Sequence, residues 1–144
     1  MAVSLQWLAT FSAAVFAGGA LYISIVEHPA RMKAGVAVAV AEFRQMYRRA
    51  APWQASAAAI SLVAGLLSAV LTADYAWALG GLAVGAVIPF TLIAMLGITR
   101  RLLDTHPPRD DDAALLARWG RLHLVRSVLG TLGFIVLLSK AVLK

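Results

Sequence analysis

Trp53-Gln-Ala-Ser-Ala-Ala-Ala-Ile-Ser-Leu-Val-Ala-Gly-Leu-Leu-Ser-Ala-Val-Leu-Thr-Ala73 and Ala76-Trp-Ala-Leu-Gly-Gly-Leu-Ala-Val-Gly-Ala-Val-Ile-Pro-Phe-Thr-Leu-Ile-Ala-Met-Leu-Gly-Ile-Thr99 are separated only by Asp74 and Tyr75, and Asp74 is the single charged side chain between residues 53 and 99. Each block matches the roughly 20 apolar residues that cross the hydrocarbon core of a bilayer. Two such blocks joined by so short a turn form a tight transmembrane hairpin. Upstream, residues 3–26 carry only Gln6 among strongly polar side chains and form another span. No Lys or Arg precedes this block, and it is longer than the roughly 7–15 residues of a signal-peptide core, so it is expected to be retained. Downstream, a last apolar run begins near Leu122, with His123 and Arg126 in its first two turns. The spans therefore fall at about 3–26, 53–73, 76–99 and 122–143. The whole chain of 144 residues agrees, at 61% hydrophobic, 14% charged and a mean hydropathy of +0.80. Soluble domains lie near 45–50% apolar, so a water-soluble globule is excluded. With no repeat, low-complexity tract or linker, residues 1–144 read as one transmembrane domain.

Charge sets the direction. Ten of the thirteen basic residues occupy two segments, one holding Arg31, Lys33, Arg44, Arg48 and Arg49, the other Arg100, Arg101, Arg109, Arg118 and Arg121. The opposite side has only Lys140 and Lys144. The positive-inside rule makes both basic segments cytoplasmic and both termini extracytoplasmic, in a multi-pass protein of the cell membrane. Charges dispersed between apolar blocks also argue against nucleic acid, despite a net charge of +6. The absence of cysteine excludes disulfides, Cys-ligated metal centres and thiol catalysis. No glycine-rich phosphate loop, nucleophile elbow or zinc-protease signature occurs.

Within the first basic segment, Val36, Val40, Phe43 and Tyr47 recur at helical spacing beside Glu42, Arg44, Gln45 and Arg48, which predicts a short interfacial helix. In the second, residues 104–112 form a proline-broken polar loop whose last three aspartates suit the start of a helix near Ala113. Gln54, Ala57, Ser61, Gly65, Ser68 and Thr72 draw a stripe of mostly small residues along span two. Gly81, Gly85 and Pro89, then Gly130 and Gly133, and Gly18 with Tyr22 offer shorter stripes on the other spans. Such seams let helices approach closely, and the fold expected is an all-α integral membrane four-helix bundle.

The remaining polar residues gather at the cytoplasmic mouth. Glu27-His28-Pro29 closes span one, with Pro29 expected to end its helix. Trp119, His123 and Arg126 fall at i, i+4 and i+7, on one face of the helix entering span four. Tyr47, Arg48 and Gln54 flank span two, and Thr99 and Arg100 the exit of span three. Two histidines, a glutamate and arginines meeting at one mouth supply an acid–base pair and an anion-stabilising cation. Blander roles stand beside this: Arg126 snorkelling to the headgroups, and Glu27 with His28 in an interfacial ion pair with Arg31 or with span four. His106 is expected in solvent. No metal site is expected, and His28, His123 and Glu27 are its only weak candidates. Neighbours such as Glu27 and His28 point about 100° apart on a helix, so they would share an ion only where the helix breaks.

The stretches Gly19–Met32, Phe43–Pro52, Pro89-Phe90-Thr91 and Arg118–Arg126, in this order, resemble a four-span membrane family of unknown function that includes the anthrone oxygenases. The likeness covers nearly the whole chain. It implies oxidation of an apolar, fused-ring phenolic compound to a quinone with molecular oxygen and no known bound cofactor. The family pattern falls on His28, on Pro89-Phe90-Thr91, and on Trp119, His123 and Arg126. Thr99 stands where many relatives place asparagine. On this reading His28 or His123 is the base, Arg126 stabilises the oxyanion and Glu27 orients a histidine. Trp119, Tyr22, Phe90, Thr91, Thr99 and Gln54 would contact substrate. The competing expectations are a protein that binds or transports a lipid or apolar small molecule, and a structural subunit of a membrane assembly. Membrane lipids and an apolar small molecule are the partners expected, with a homo-oligomer as an open alternative. An enzyme needs the two histidines lining one cavity.

Overall fold

The structure, a computed structural model, describes residues 1–104 and 106–143. Thr105 of the polar loop and Lys144, counted above among the extracytoplasmic charges, lie outside the described residues. Among the described residues there are four long helices: α1 (Ala2–Lys33), α2 (Val36–Thr72), α3 (Tyr75–Asp104) and α4 (Asp112–Val142). All four are long and apolar enough to cross a membrane. Their outward faces carry Trp7, Phe11, Val70, Ile93 and Leu132, each more than half exposed. Such a coat of large apolar side chains suits lipid as solvent and not water. The protein is a multi-pass membrane protein.

The helices form a closed ring of antiparallel neighbours, α1 beside α2 and α4, and α3 beside α2 and α4. Small residues set the register. Ser61 Oγ donates to the Ala9 carbonyl at 3.0 Å, locking α2 to α1. A Cβ on Gly65 would stand 2.8 Å from the Trp77 carbonyl oxygen and 3.1 Å from Gly81 Cα, so α2 and α3 touch backbone to backbone. Gly133 meets Gly80 and Val84 in the same way across α4 and α3, and Gly130 receives the Phe16 ring of α1. In lipid, where apolar burial gives helices little net preference for one another, this close contact is the main attraction. Asp74 closes the α2–α3 turn by accepting from Ala76 N at 3.1 Å and pairs with Lys140 Nζ at 2.7 Å. That pair puts the end of α4 beside the turn, at the far end of the bundle from the basic segments.

Two expectations are corrected. Residues 36–51 form no separate interfacial helix, since α2 runs unbroken from Val36 to Thr72 through Pro52. Val40 and Phe43 are completely buried, in a core cluster with Met95, Leu102, Leu116 and Trp119 of α3 and α4. Their apolar stripe thus finds other helices to pack against, and this burial offsets the ~3 kcal/mol that an interior proline costs. Nor does Pro29 end span one. A wider π-helical turn over Ile23–Glu27 precedes it, and the helix resumes at His28 and reaches Lys33. The wider turn opens the hydrogen-bond ladder where the proline ring would meet the carbonyl four residues back. Gly35, with a φ of 88°, then provides the left-handed link into α2. Pro89 lies within α3, three residues after the irregular turn at Ala86. α3 breaks at Ala86 and contains a second π-helical turn over Thr91–Met95.

Candidate functional site

Trp119, His123 and Arg126 share one face of α4, as their spacing predicts, and that face is turned inward, with all three buried. Ser127, one turn after His123, joins them with no exposed surface. Facing this row, α1 contributes Ala20, Ile23 and Ser24, and α2 contributes Tyr47 and Gln54. His123 Nδ1 lies 3.0 Å from Ser24 Oγ, which lies 2.8 Å from Ser127 Oγ. Ser127 Oγ in turn donates to the Ala20 carbonyl at 3.0 Å. Trp119 stacks on His123 with ring centroids 4.7 Å apart, and meets Phe43 edge-on at 5.0 Å. The imidazole is thus held at one nitrogen and on one face, and no hydrogen bond from Nε2 occurs among the described residues.

Arg126 does not snorkel. Its Nη2 donates to Gln54 Oε1 at 3.0 Å, its guanidinium lies 5.7 Å from the Phe16 ring centre, and its Nε, also buried, has no protein partner. One neutral amide and one aromatic face leave the cation short of compensation. A buried guanidinium in that condition favours any negative charge placed beside it.

Two adjoining cavities follow. The inner one, about 10 Å³, is lined by Ile23, Met46, Tyr47, Ala50, Ala51, Gln54, Trp119, His123 and Arg126. That volume is close to the smallest that accepts one water-sized molecule, roughly 10–15 Å³. The outer one, about 160 Å³, lies between α2 and α3 and is lined by Tyr47, Ala51, Gln54, Ala55, Val87, Ile88, Thr91, Leu92 and Arg126. Ala55 and Leu92 on its rim are exposed, so it opens sideways onto the lipid-facing surface. Tyr47, Ala51, Gln54 and Arg126 wall both cavities. The break in α3 at Ala86 positions Val87, Ile88, Thr91 and Leu92 along this opening.

Other expected site residues lie elsewhere. His28 does not join His123 in either cavity, so the expectation that both histidines line one cavity is corrected, and of the two only His123 is placed to act as a base. The His28 ring lies 5.8 Å from that of Trp119, its Nδ1 is buried without a partner, and a Cβ on Gly120 would come within 2.2 Å of its Nε2. Trp119, in ring contact with both histidines, is the side chain that reaches the cavity on that side. Glu27 orients no histidine. It pairs with Arg31, which also pairs with Glu42 and lies 5.5 Å from the Phe43 ring centre. The ion-pair alternative for Glu27 is therefore the one observed, and His28 takes no part in it. Among the described residues no group of three or more His, Cys, Asp or Glu is placed to hold a metal ion. Tyr22 is 56% exposed and lines a separate groove beside Glu27 and Arg31. Phe90 packs against the core cluster around Phe43. Thr99 is buried, its hydroxyl without a partner, and lines neither cavity. Thr91 does reach the outer cavity, with its hydroxyl donated to the Val87 carbonyl at 2.6 Å. His106 is exposed. Sequence reasoning missed Ser24 and Ser127, although each stands one helical turn from a histidine, Ser24 before His28 and Ser127 after His123.

A free imidazole nitrogen, an under-compensated guanidinium and an amide around a small inner cavity can remove a proton from carbon and hold the resulting oxyanion. No curated protein and no solved structure shows significant similarity to the chain. The model of the family described as anthrone oxygenase matches residues 43–136, a stretch that holds Tyr47, Gln54, Thr91, Trp119, His123 and Arg126 and excludes α1. With that match over more than half its length, the chain belongs to the anthrone oxygenase family.

Proposed function

We propose that the protein is an oxidoreductase that converts an apolar, anthrone-like fused-ring phenol to a quinone with molecular oxygen. The observation that carries this reading is the pairing of His123 and Arg126 on the inner cavity, next to an outer cavity that opens to lipid. An outer volume of about 160 Å³ resembles the ~150 Å³ cavity that takes up one benzene. A fused tricycle is larger than this, so its outer ring stays among acyl chains, and its reacting end reaches His123 only by widening the inner cavity of about 10 Å³ through the walls that the two cavities share. His123 Nε2 removes a proton from the ring methylene, and Arg126 stabilises the negative charge delocalised onto the ring carbonyl oxygen. The carbanion is its own reductant, so no bound cofactor is needed. Its electrons form a C–O bond with oxygen, and the peroxide anion takes the proton back from His123. Loss of the second methylene proton with cleavage of the O–O bond then releases water and leaves the quinone carbonyl.

The test is oxygen uptake with an anthrone in lipid nanodiscs. His123→Gln is expected to lower turnover by about 10²–10⁴ and Arg126→Met by about 10²–10³, with substrate still bound. His28→Gln, outside the cavity, should cost less than about tenfold. Wild-type protein that binds anthrones without consuming oxygen would replace this reading with a binding or transport role, which the outer cavity would serve equally well. The same proposal places both termini and Asp74 outside the cytoplasm of the cell membrane, on the strength of the two basic segments. A reporter fused at the C-terminus should be active outside, and cytoplasmic activity would reverse the orientation.

A further inference from the structure

We infer that Ser24 and Ser127 are positioning residues that hold His123 as its Nδ1–H tautomer, turning the Nε2 lone pair toward the inner cavity. The inference rests on the reading of His123 as the base and concerns how α1, which lies outside the matched stretch, completes that base. It follows from counting hydrogens, because a serine hydroxyl has one to give and a carbonyl oxygen has none. Ser127 Oγ sits 3.0 Å from the Ala20 carbonyl oxygen and 3.2 Å from that of His123. Both partners only accept, so the Ser127 hydrogen is committed to them. At 2.8 Å from Ser24 Oγ, Ser127 must then accept, and the Ser24 hydrogen is committed in its turn. Ser24 Oγ can meet His123 Nδ1, 3.0 Å away, only as an acceptor. The hydrogen between them therefore belongs to Nδ1.

Reversing the chain requires Ser127 to donate to Ser24 and Ser24 to Nδ1. Ser127 Oγ would then face two carbonyl oxygens, at 3.0 and 3.2 Å, with no hydrogen toward either. Ser127 is fully buried, so that loss has no compensation from water. The forward chain satisfies every contact and ends on the Ala20 backbone, which the α1 helix holds fixed. A neutral imidazole with hydrogen on Nδ1 has its only lone pair on Nε2, and a proton can be accepted nowhere else. The opposite tautomer would place an N–H in the cavity and disable the base with no change in its position.

The experiment is nitrogen NMR of ¹⁵N-histidine-labelled full-length protein in nanodiscs at neutral pH, with the His123 signals identified by their loss in His123→Gln. The expected result is a pyrrole-type Nδ1 and a pyridine-type Nε2, and the reverse pattern in wild type would overturn the proposal. Ser24→Ala should mix the two tautomers and lower kcat about tenfold or more with KM little changed, while Ser24→Thr should restore both. Retention of the pure Nδ1–H form and full kcat in Ser24→Ala would equally overturn it. The relay and the enzymatic reading fail separately. An Nδ1–H signal in a protein that turns over no anthrone upholds the relay and removes the oxygenase, whereas turnover with hydrogen on Nε2 does the opposite.

Discussion

Arg31 has 1% of its side chain exposed, while its partners Glu27 and Glu42 keep 22% and 42%. The asymmetry decides which change is costly. Removing the guanidinium in Arg31→Met leaves two carboxylates that still reach the surface and can be hydrated or protonated. Removing both negative charges in Glu27→Gln/Glu42→Gln instead leaves a buried cation unpaired, a change that costs about 3–5 kcal/mol where the charge stays buried. The double variant should therefore unfold at a lower temperature in detergent than Arg31→Met, and the reverse order would show that the Phe43 ring holds the cation unaided. Asp74 carries a pH dependence of its own. Its hydrogen bond to Lys140, aided by the Ala76 amide, holds the carboxyl below the usual carboxylate range. Its contribution is complete above the ordinary pKa of about 3.9 and is lost as pH falls through the depressed value. Asp74→Asn should lower the melting temperature at neutral pH and flatten its acid limb. At this scale the sequence made the row Trp119, His123, Arg126 legible, because helical spacing alone puts residues on one face. Spacing says nothing of depth or of cross-helix partners, so neither the burial of Arg31 nor the contacts of Ser24 with His123 and Ser127 could be read from it.

Among the helices, glycines separate packing from propensity. A Cβ on Gly65 would press on the Trp77 carbonyl and on Gly81, both backbone and unable to yield, whereas a Cβ on Gly18 meets nothing within 4 Å. Gly65→Ala should therefore cost about 1–3 kcal/mol through overpacking, and Gly18→Ala should be neutral or gain up to ~1 kcal/mol from helix propensity. Reversible unfolding in detergent measures both, and equal values would mean that α2 and α3 separate without loss. The element pattern was readable as four apolar blocks because a bilayer demands uninterrupted hydrophobic length. Helix ends were not, since α1 and α2 extend well past their apolar blocks wherever one face still finds a partner, as Val40 and Phe43 do. Pro29 and Pro52 carry ordinary stop signals, overridden in α1 by a π-helical turn and in α2 by burial.

For the molecule as a whole, the antiparallel ring was legible from short connections and small-residue seams, and the shared mouth from the alternation of spans. The lateral opening between α2 and α3 was not, because it depends on the local helix geometry around Ala86 and over Thr91–Met95, which the sequence does not display. Under the proposed function, that opening has a consequence for how an apolar substrate would reach the site. A cavity rimmed by Ala55 and Leu92 on the outer surface samples the bilayer and not the aqueous phase. The concentration that governs occupancy is then the mole fraction of substrate in lipid. A sparingly soluble aromatic is accumulated there by its own partitioning, so the membrane acts as reservoir and concentrator together. Enlarging the lipid pool at constant total substrate dilutes the compound in two dimensions and slows the reaction, although nothing in the water has changed.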